Sequence, residues 1–85
     1  MYVRSNLRPM TNPLSAVPLY QQLADLLAGQ IERGELRPGQ LLPSELHLQQ
    51  TYDVSRGTVR MAMRVLRERG LITTIQARGS FVAER

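Results

Sequence analysis

The 85-residue sequence contains no cysteine, which removes a disulfide framework and a thiolate metal site from consideration. A domain this short buries only about 60–65% of its unfolded surface, so its core must be small. The missing thiols fit a reducing compartment. No apolar run approaches the roughly 20 residues that span a bilayer, and the N-terminus lacks the charged-then-apolar pattern of a secretory signal. A soluble, cytoplasmic domain without a membrane partner is expected. Catalysis finds as little support. The single histidine, His47, has no cysteine, histidine or acidic partner at ligand spacing, so a phosphate contact or a plain surface role is left to it. No nucleophile–base pair, phosphate loop or paired carboxylates can be argued. Asp25, Glu32, Glu35, Asp53 and Glu84 read as solvated surface charge. The expectation is therefore a non-enzyme without cofactor or metal.

Lysine is absent too: all 11 basic residues are arginine, against 7 acids. Codon usage in a GC-rich genome is enough to explain the choice of arginine. The positions say more than the total. From Ser55 to Val82 there are six arginines (Arg56, Arg60, Arg64, Arg67, Arg69 and Arg78) and one acid, Glu68. A local positive field of that kind favours a polyanionic partner.

Four of these arginines fall on one helix. Over 54–69, at about 100° per residue, Arg56, Arg60, Arg64 and Arg67 lie within roughly an 80° sector. Val59, Ala62, Met63 and Leu66 occupy the adjoining sector. One side can be buried while the other presents guanidinium groups, the form of a helix that enters the DNA major groove. Ser55 caps this helix and Gly70 ends it.

The rest of the chain builds around it. Residues 1–16 lack a period and read as a flexible N-terminal arm; Arg4 and Arg8 there are a solvated tail or touch a phosphate, and Met10 is an alternative start. A first helix opens with Pro18 in its first turn. Leu19, Leu23, Leu26, Leu27 and Ile31 form its apolar stripe, widened by Tyr20 and Ala24, and Gly34 ends it beside Arg33. Pro38-Gly39 makes a turn, and Leu41-Leu42 is long enough for a brief strand at most. Ser44 caps a second helix over 45–52, with Leu46, Leu48 and Tyr52 directed to the core. Two helices separated by a short turn, the second basic, form a helix-turn-helix. Beyond Gly70, residues 71–75 and 80–83 read as two strands around a polar turn, Gln76-Ala77-Arg78-Gly79, a hairpin that gives the motif a wing. The expected fold is α+β: three helices and a small C-terminal antiparallel hairpin, with the domain spanning 17–85. The four methionines read as core filler.

The ordered motifs Pro18-Leu19-Tyr20, Gly34-Glu35-Leu36-Arg37-Pro38-Gly39, Leu42-Pro43-Ser44-Glu45, Val54-Ser55-Arg56-Gly57-Thr58-Val59-Arg60, Gly70-Leu71-Ile72 and Gly79-Ser80-Phe81-Val82 resemble the DNA-binding domain of GntR-family bacterial transcription regulators, most of all the HutC-type branch. The resemblance runs from about Pro18 to Ala83. It implies a winged helix that binds a double-stranded operator as a homodimer on an inverted repeat. Ser55, Arg56, Thr58 and Arg60 fall on positions that contact DNA in relatives, and Gln76 and Ala77 fall on the wing tip that reaches the minor groove. Ser44, Glu45, Gly57, Arg64, Arg78 and Gly79 complete the expected DNA-binding set. Two departures stand out. Leu46 replaces an arginine that many relatives carry after Pro-Ser-Glu, and Ala77 replaces a glycine, which shifts the groove contact to Gln76 or Arg78. Relatives usually continue into an effector-binding domain, so a small-molecule effector is expected only with a further C-terminal domain, and no ligand pocket is expected here.

The chemistry of each position supports this and leaves choices open. An arginine fork can donate to both O6 and N7 of guanine, which no other base presents together. Arg56 and Arg60 either read bases in that way or bind phosphate or pair with Glu45. Ser55 caps the helix alone, or also helps its N-terminus take a phosphate. Thr58 is small and its methyl can pack on thymine. Gly57 clears the closest approach or merely weakens the helix start. Arg64 and Arg67, farther along, suit phosphates, and Arg69 suits the helix end as a solvated cation. Two other functions compete: a winged-helix module that binds protein or RNA, and a nonspecific plasmid DNA-binding protein. A partner-binding face would be more apolar than this third helix.

Overall fold

A computed structural model describes residues 11–84 of the chain; Arg4, Arg8 and Met10 lie outside the described residues. Three helices, α1 (Leu19–Glu32), α2 (Glu45–Tyr52) and α3 (Arg56–Glu68), precede two strands, β1 (Ile72–Ile75) and β2 (Gly79–Val82). α3 packs against α1, α2 and β1, and β1 in turn packs against β2.

Pro18 is the N-cap of α1, one residue outside the expected first turn. It has no side chain to cap the helix, and its carbonyl accepts from the Gln21 and Gln22 amides. Gln22 fastens the segment before it: its Oε1 accepts from the Asn12 amide at 2.7 Å, and its Nε2 donates to the Asn12 and Val17 carbonyls at 2.9 and 2.7 Å. Thr11 Oγ1 donates to the Tyr52 carbonyl at 3.3 Å. The buried stripe of α1 is Leu23, Ala24, Leu27, Ala28 and Ile31. Leu19, Tyr20 and Leu26 flank it half-buried. Gly34 takes φ +81° and ends the helix. Arg33 pairs with Glu35 at 2.8 Å, so Glu35 is not a free surface charge. The hydrogen bond from Arg33 holds that carboxyl below its ordinary range, against desolvation and with a smaller contribution from the Arg33 charge.

α2 buries only Leu48 fully. Leu46, expected in the core, is 61% exposed. Two residues apart on a helix are about 200° apart, so Leu46 and Leu48 cannot face the same core. Tyr52, one turn beyond Leu48, is half-buried, and its hydroxyl accepts from Gln30 Nε2 at 3.4 Å. Asp53 closes α2 in the left-handed region (φ 55°, ψ 53°), which aspartate tolerates, and the chain turns through Val54 into α3.

β1 and β2 pair antiparallel in the register Ile72↔Val82, Thr73↔Phe81, Thr74↔Ser80, Ile75↔Gly79. Each strand departs by a residue from the expected span: pairing starts at Ile72, and β2 begins at Gly79, the partner of Ile75. The brief extended piece at Leu41 bridges Phe81, and Leu42 N donates to the Ser80 carbonyl at 2.8 Å, adding a partial third strand. Gly79 (φ 122°) lies so close that a Cβ there would stand 2.9 Å from Leu41 Cδ1. The core gathers Val59, Ala62, Met63 and Leu66 of α3 with the α1 stripe, Leu36, Leu42, Leu48, Val54, Ile72 and Val82. Among the methionines of the described residues, Met63 fills this core as expected, but Met61 is 48% exposed.

Candidate nucleic-acid interface

α3 has the two faces its sequence encodes. Val59, Ala62, Met63 and Leu66 are buried, and Arg56, Arg60, Arg64 and Arg67 are exposed. The burial of the first set fixes the rotation of the helix, and the rotation places the second set outward. Ser55 is the N-cap: its Oγ accepts from the Thr58 amide at 3.1 Å, and its hydroxyl donates to Thr58 Oγ1 at 3.0 Å. That second bond uses one lone pair of the Thr58 hydroxyl and leaves its hydrogen available to donate. The first-turn N–H groups of Arg56 and Gly57 lie beyond reach of any helical carbonyl.

The two ion pairs among the described residues are Arg33–Glu35 and Arg69–Asp25. Glu45 is exposed at the first position of α2 and takes part in neither, so the alternative pairing with Arg56 or Arg60 is not formed. Arg69 and Asp25, expected as separate solvated charges, meet at 3.1 Å and tie the end of α3 to α1. Arg67 is also engaged: its Nη1 donates to Thr74 Oγ1 at 3.1 Å.

Gly57 has no internal reason to be glycine. A Cβ there would meet only Ser55 Oγ, at 3.9 Å, and its φ is not positive. Ser44 is exposed and caps α2, its Oγ accepting from the His47 amide at 3.1 Å; His47 itself is exposed.

Gln76, Ala77, Arg78 and Gly79 form the exposed hairpin tip. Arg78 N donates to the Ile75 carbonyl at 2.9 Å, closing a four-residue turn. Its third residue, Ala77, takes φ 68°, where turns of this kind ordinarily place glycine. The tip and the start of α2 converge: Ser44, Glu45, Gln76, Ala77, Arg78 and Gly79 all line one open groove of about 500 Å³, floored by Met63 and Leu42. A groove of this size was not expected from so short a chain. Thr74 and Ser80 were missed from sequence. Both belong to the hairpin face that begins with buried Ile72 and Val82, and alternation along the strands, once the register is known, identifies them.

Known proteins match this geometry and sequence. The chain is 51% identical over 67 residues to the mannosyl-D-glycerate transport/metabolism system repressor MngR of Escherichia coli, covering 79% of this chain and 28% of that protein. It is 40% identical over 73 residues to the HTH-type transcriptional repressor NagR of Bacillus subtilis, covering 86% of this chain and 30% of that protein. The chain thus spans under a third of these curated relatives. AraR(DBD), solved in complex with operator ORX1, superposes with a TM-score of 0.81 at 35% identity, covering 88% of this chain and 95% of that one. No helix among the described residues is long and apolar enough to cross a membrane. The family model described as bacterial regulatory proteins, gntR family, matches residues 19–82, and the chain belongs to that family with a winged-helix fold.

Proposed function

We propose that this chain is the DNA-reading part of a bacterial transcriptional regulator of the HutC-type branch, acting in the cytoplasm. Two copies bind an inverted repeat in a double-stranded operator and repress by covering the promoter. The observation that carries the reading is the outward arginine face of α3, held in place by a buried apolar face and free of pairing with Glu45. Its likeness to a domain solved on operator DNA supports the same ligand.

In this reading Arg56 and Arg60, on the first turns of α3, donate to guanine O6 and N7, each worth about 1–3 kcal/mol of discrimination. The Arg56 and Gly57 amides at the Ser55-capped end take a phosphate. Gly57 is small because a base edge or backbone comes close, and Thr58 packs its methyl on thymine. Arg64 reaches phosphate. Gln76 and Arg78 enter the minor groove from the hairpin, with Ala77 and Gly79 shaping the turn. Ser44 and Glu45 sit where the start of α2 approaches the backbone, and Leu46 contributes no charge there. A small-molecule effector acts only through a further domain.

Selection of bound sequences from a random duplex library tests this. The expected result is an enriched inverted repeat whose half-site spacing reports the dimer geometry. Affinity should fall with salt at a logarithmic slope near about −5, as for roughly six neutralised phosphates. Enrichment of nothing, or affinity indifferent to salt, would contradict the proposal. Equal affinity for all duplexes would favour a nonspecific DNA-coating protein.

A further inference from the structure

Arg67 shares the angular sector of the other α3 arginines, yet it is the one whose guanidinium is bonded to the hairpin. Its Nη1 donates to Thr74 Oγ1 at 3.1 Å, and Thr74 Oγ1 lies 2.8 Å from Ser80 Oγ. A hydroxyl has one hydrogen and two lone pairs, so Thr74 can accept from Arg67 and bond Ser80 at once. Thr74 and Ser80 are register partners across the hairpin. With side chains alternating along a strand, their rung occupies the same face as Ile72 and Val82, one step farther out.

The two rungs are held by different means. Ile72 and Val82 are 4% and 2% exposed and sit in the core. Beyond them the hairpin leaves the core: β2 is bonded to the Leu41–Leu42 segment, which bridges Phe81 and donates to the Ser80 carbonyl, and the side-chain bond from the hairpin to α3 is that of Arg67. We propose that Arg67 is a positioning residue: by gripping the Thr74–Ser80 rung, it locks the wing to the recognition helix and sets where Gln76 and Arg78 meet DNA. The inference rests on the duplex-binding reading above. It assigns Arg67 a role other than the phosphate contact its helical position suggests, and it makes Thr74 and Ser80 determinants of wing-dependent affinity without requiring them to touch the ligand.

Three variants separate the roles. Thr74→Val removes the hydroxyl while preserving shape and charge; Arg67→Met removes the guanidinium while retaining an unbranched stem; the third combines them. In the free protein, exchange of the Arg78 amide, which is bonded to the Ile75 carbonyl, should quicken roughly threefold to tenfold in each single variant, as expected for loss of about one hydrogen bond. On the selected operator, each single variant should lose affinity by a similar factor, and the double variant should be no worse than the weaker single one. A phosphate contact behaves otherwise: Arg67→Met alone would lose affinity, the salt slope would fall by about 0.9, and Thr74→Val would bind as the parent. That outcome, or unchanged Arg78 exchange in both single variants, overturns the inference. A parent protein that binds no duplex overturns the underlying reading instead, while the exchange measurement still decides whether Arg67 holds the wing.

Discussion

The third helix and the hairpin, proposed to approach the same duplex, are built in opposite ways. α3 buries Val59, Ala62, Met63 and Leu66 along its length, so its cationic face is a by-product of core packing. The hairpin buries Ile72 at one end of β1 and Val82 at one end of β2, and the rest of β1 is exposed. Its tip carries a left-handed alanine, and its outer rung is held by the Arg67–Thr74–Ser80 chain and by the Leu42 amide on the Ser80 carbonyl. A face positioned by a core resists single surface changes. A face positioned by one turn and a few hydrogen bonds can be altered without unfolding the domain. The helix is thus suited to fixed base contacts, and the wing to adjustable ones.

Damage to the core should abolish the distinction. Leu66, on the buried face of α3, is fully enclosed in the core, and Leu66→Ala should cost roughly 2–5 kcal/mol, a large share of a small domain's stability. Thermal unfolding would show it, with helix and hairpin lost in one transition. A small shift in Tm would mean that α3 is held by something other than this core.

Surface changes on α3 should act on recognition alone. Arg56→Ala should leave Tm nearly unchanged and flatten the selected preference at one base pair per half-site, a loss of about 1–3 kcal/mol in discrimination. Preference surviving intact would remove Arg56 from base reading. Gly57→Ala should part stability from binding. The Cβ has open space within the protein, so the domain should gain about 0.4–1 kcal/mol while its duplex affinity falls. Stability and affinity rising together would show the glycine to be incidental.

Two smaller effects sharpen the other side. Ala77→Gly relieves a left-handed alanine and should stabilise the hairpin by about 1 kcal/mol, seen as slower exchange of the Arg78 amide. The exposed Arg33–Glu35 pair lies at the end of α1. Because Glu35 is shifted down, any stability it adds is present above its ordinary carboxylate range and is lost as pH falls through its lowered value. Glu35→Gln should leave Tm at neutral pH almost unmoved, as for a solvent-screened pair.

The same contrast governs how much was legible in the sequence. α3 was readable because one period sets both faces, and Ser55 and Gly70 mark its ends with local chemistry. The winged-helix order and the hairpin turn followed from β-branched runs around Gln76-Ala77-Arg78-Gly79. What escaped depends on pairs distant in sequence. Asp25 meets Arg69 across 44 positions, and no local pattern announces it. Arg67 finds Thr74 only after Gly70 turns the chain back, so its helical angle alone suggested an outward phosphate contact. Leu46 was misplaced by counting apolar residues without their angles: α2 is two turns long and has room for one buried stripe.

The most direct test of the account is a titration of isotope-labelled protein with its selected operator duplex, following backbone amides. The account predicts that the largest shifts fall at Ser55–Arg60 and at Gln76–Gly79, with the exposed side of α1 silent. Shifts concentrated on α1 or on the segment before it, with the α3 arginines unmoved, would contradict it.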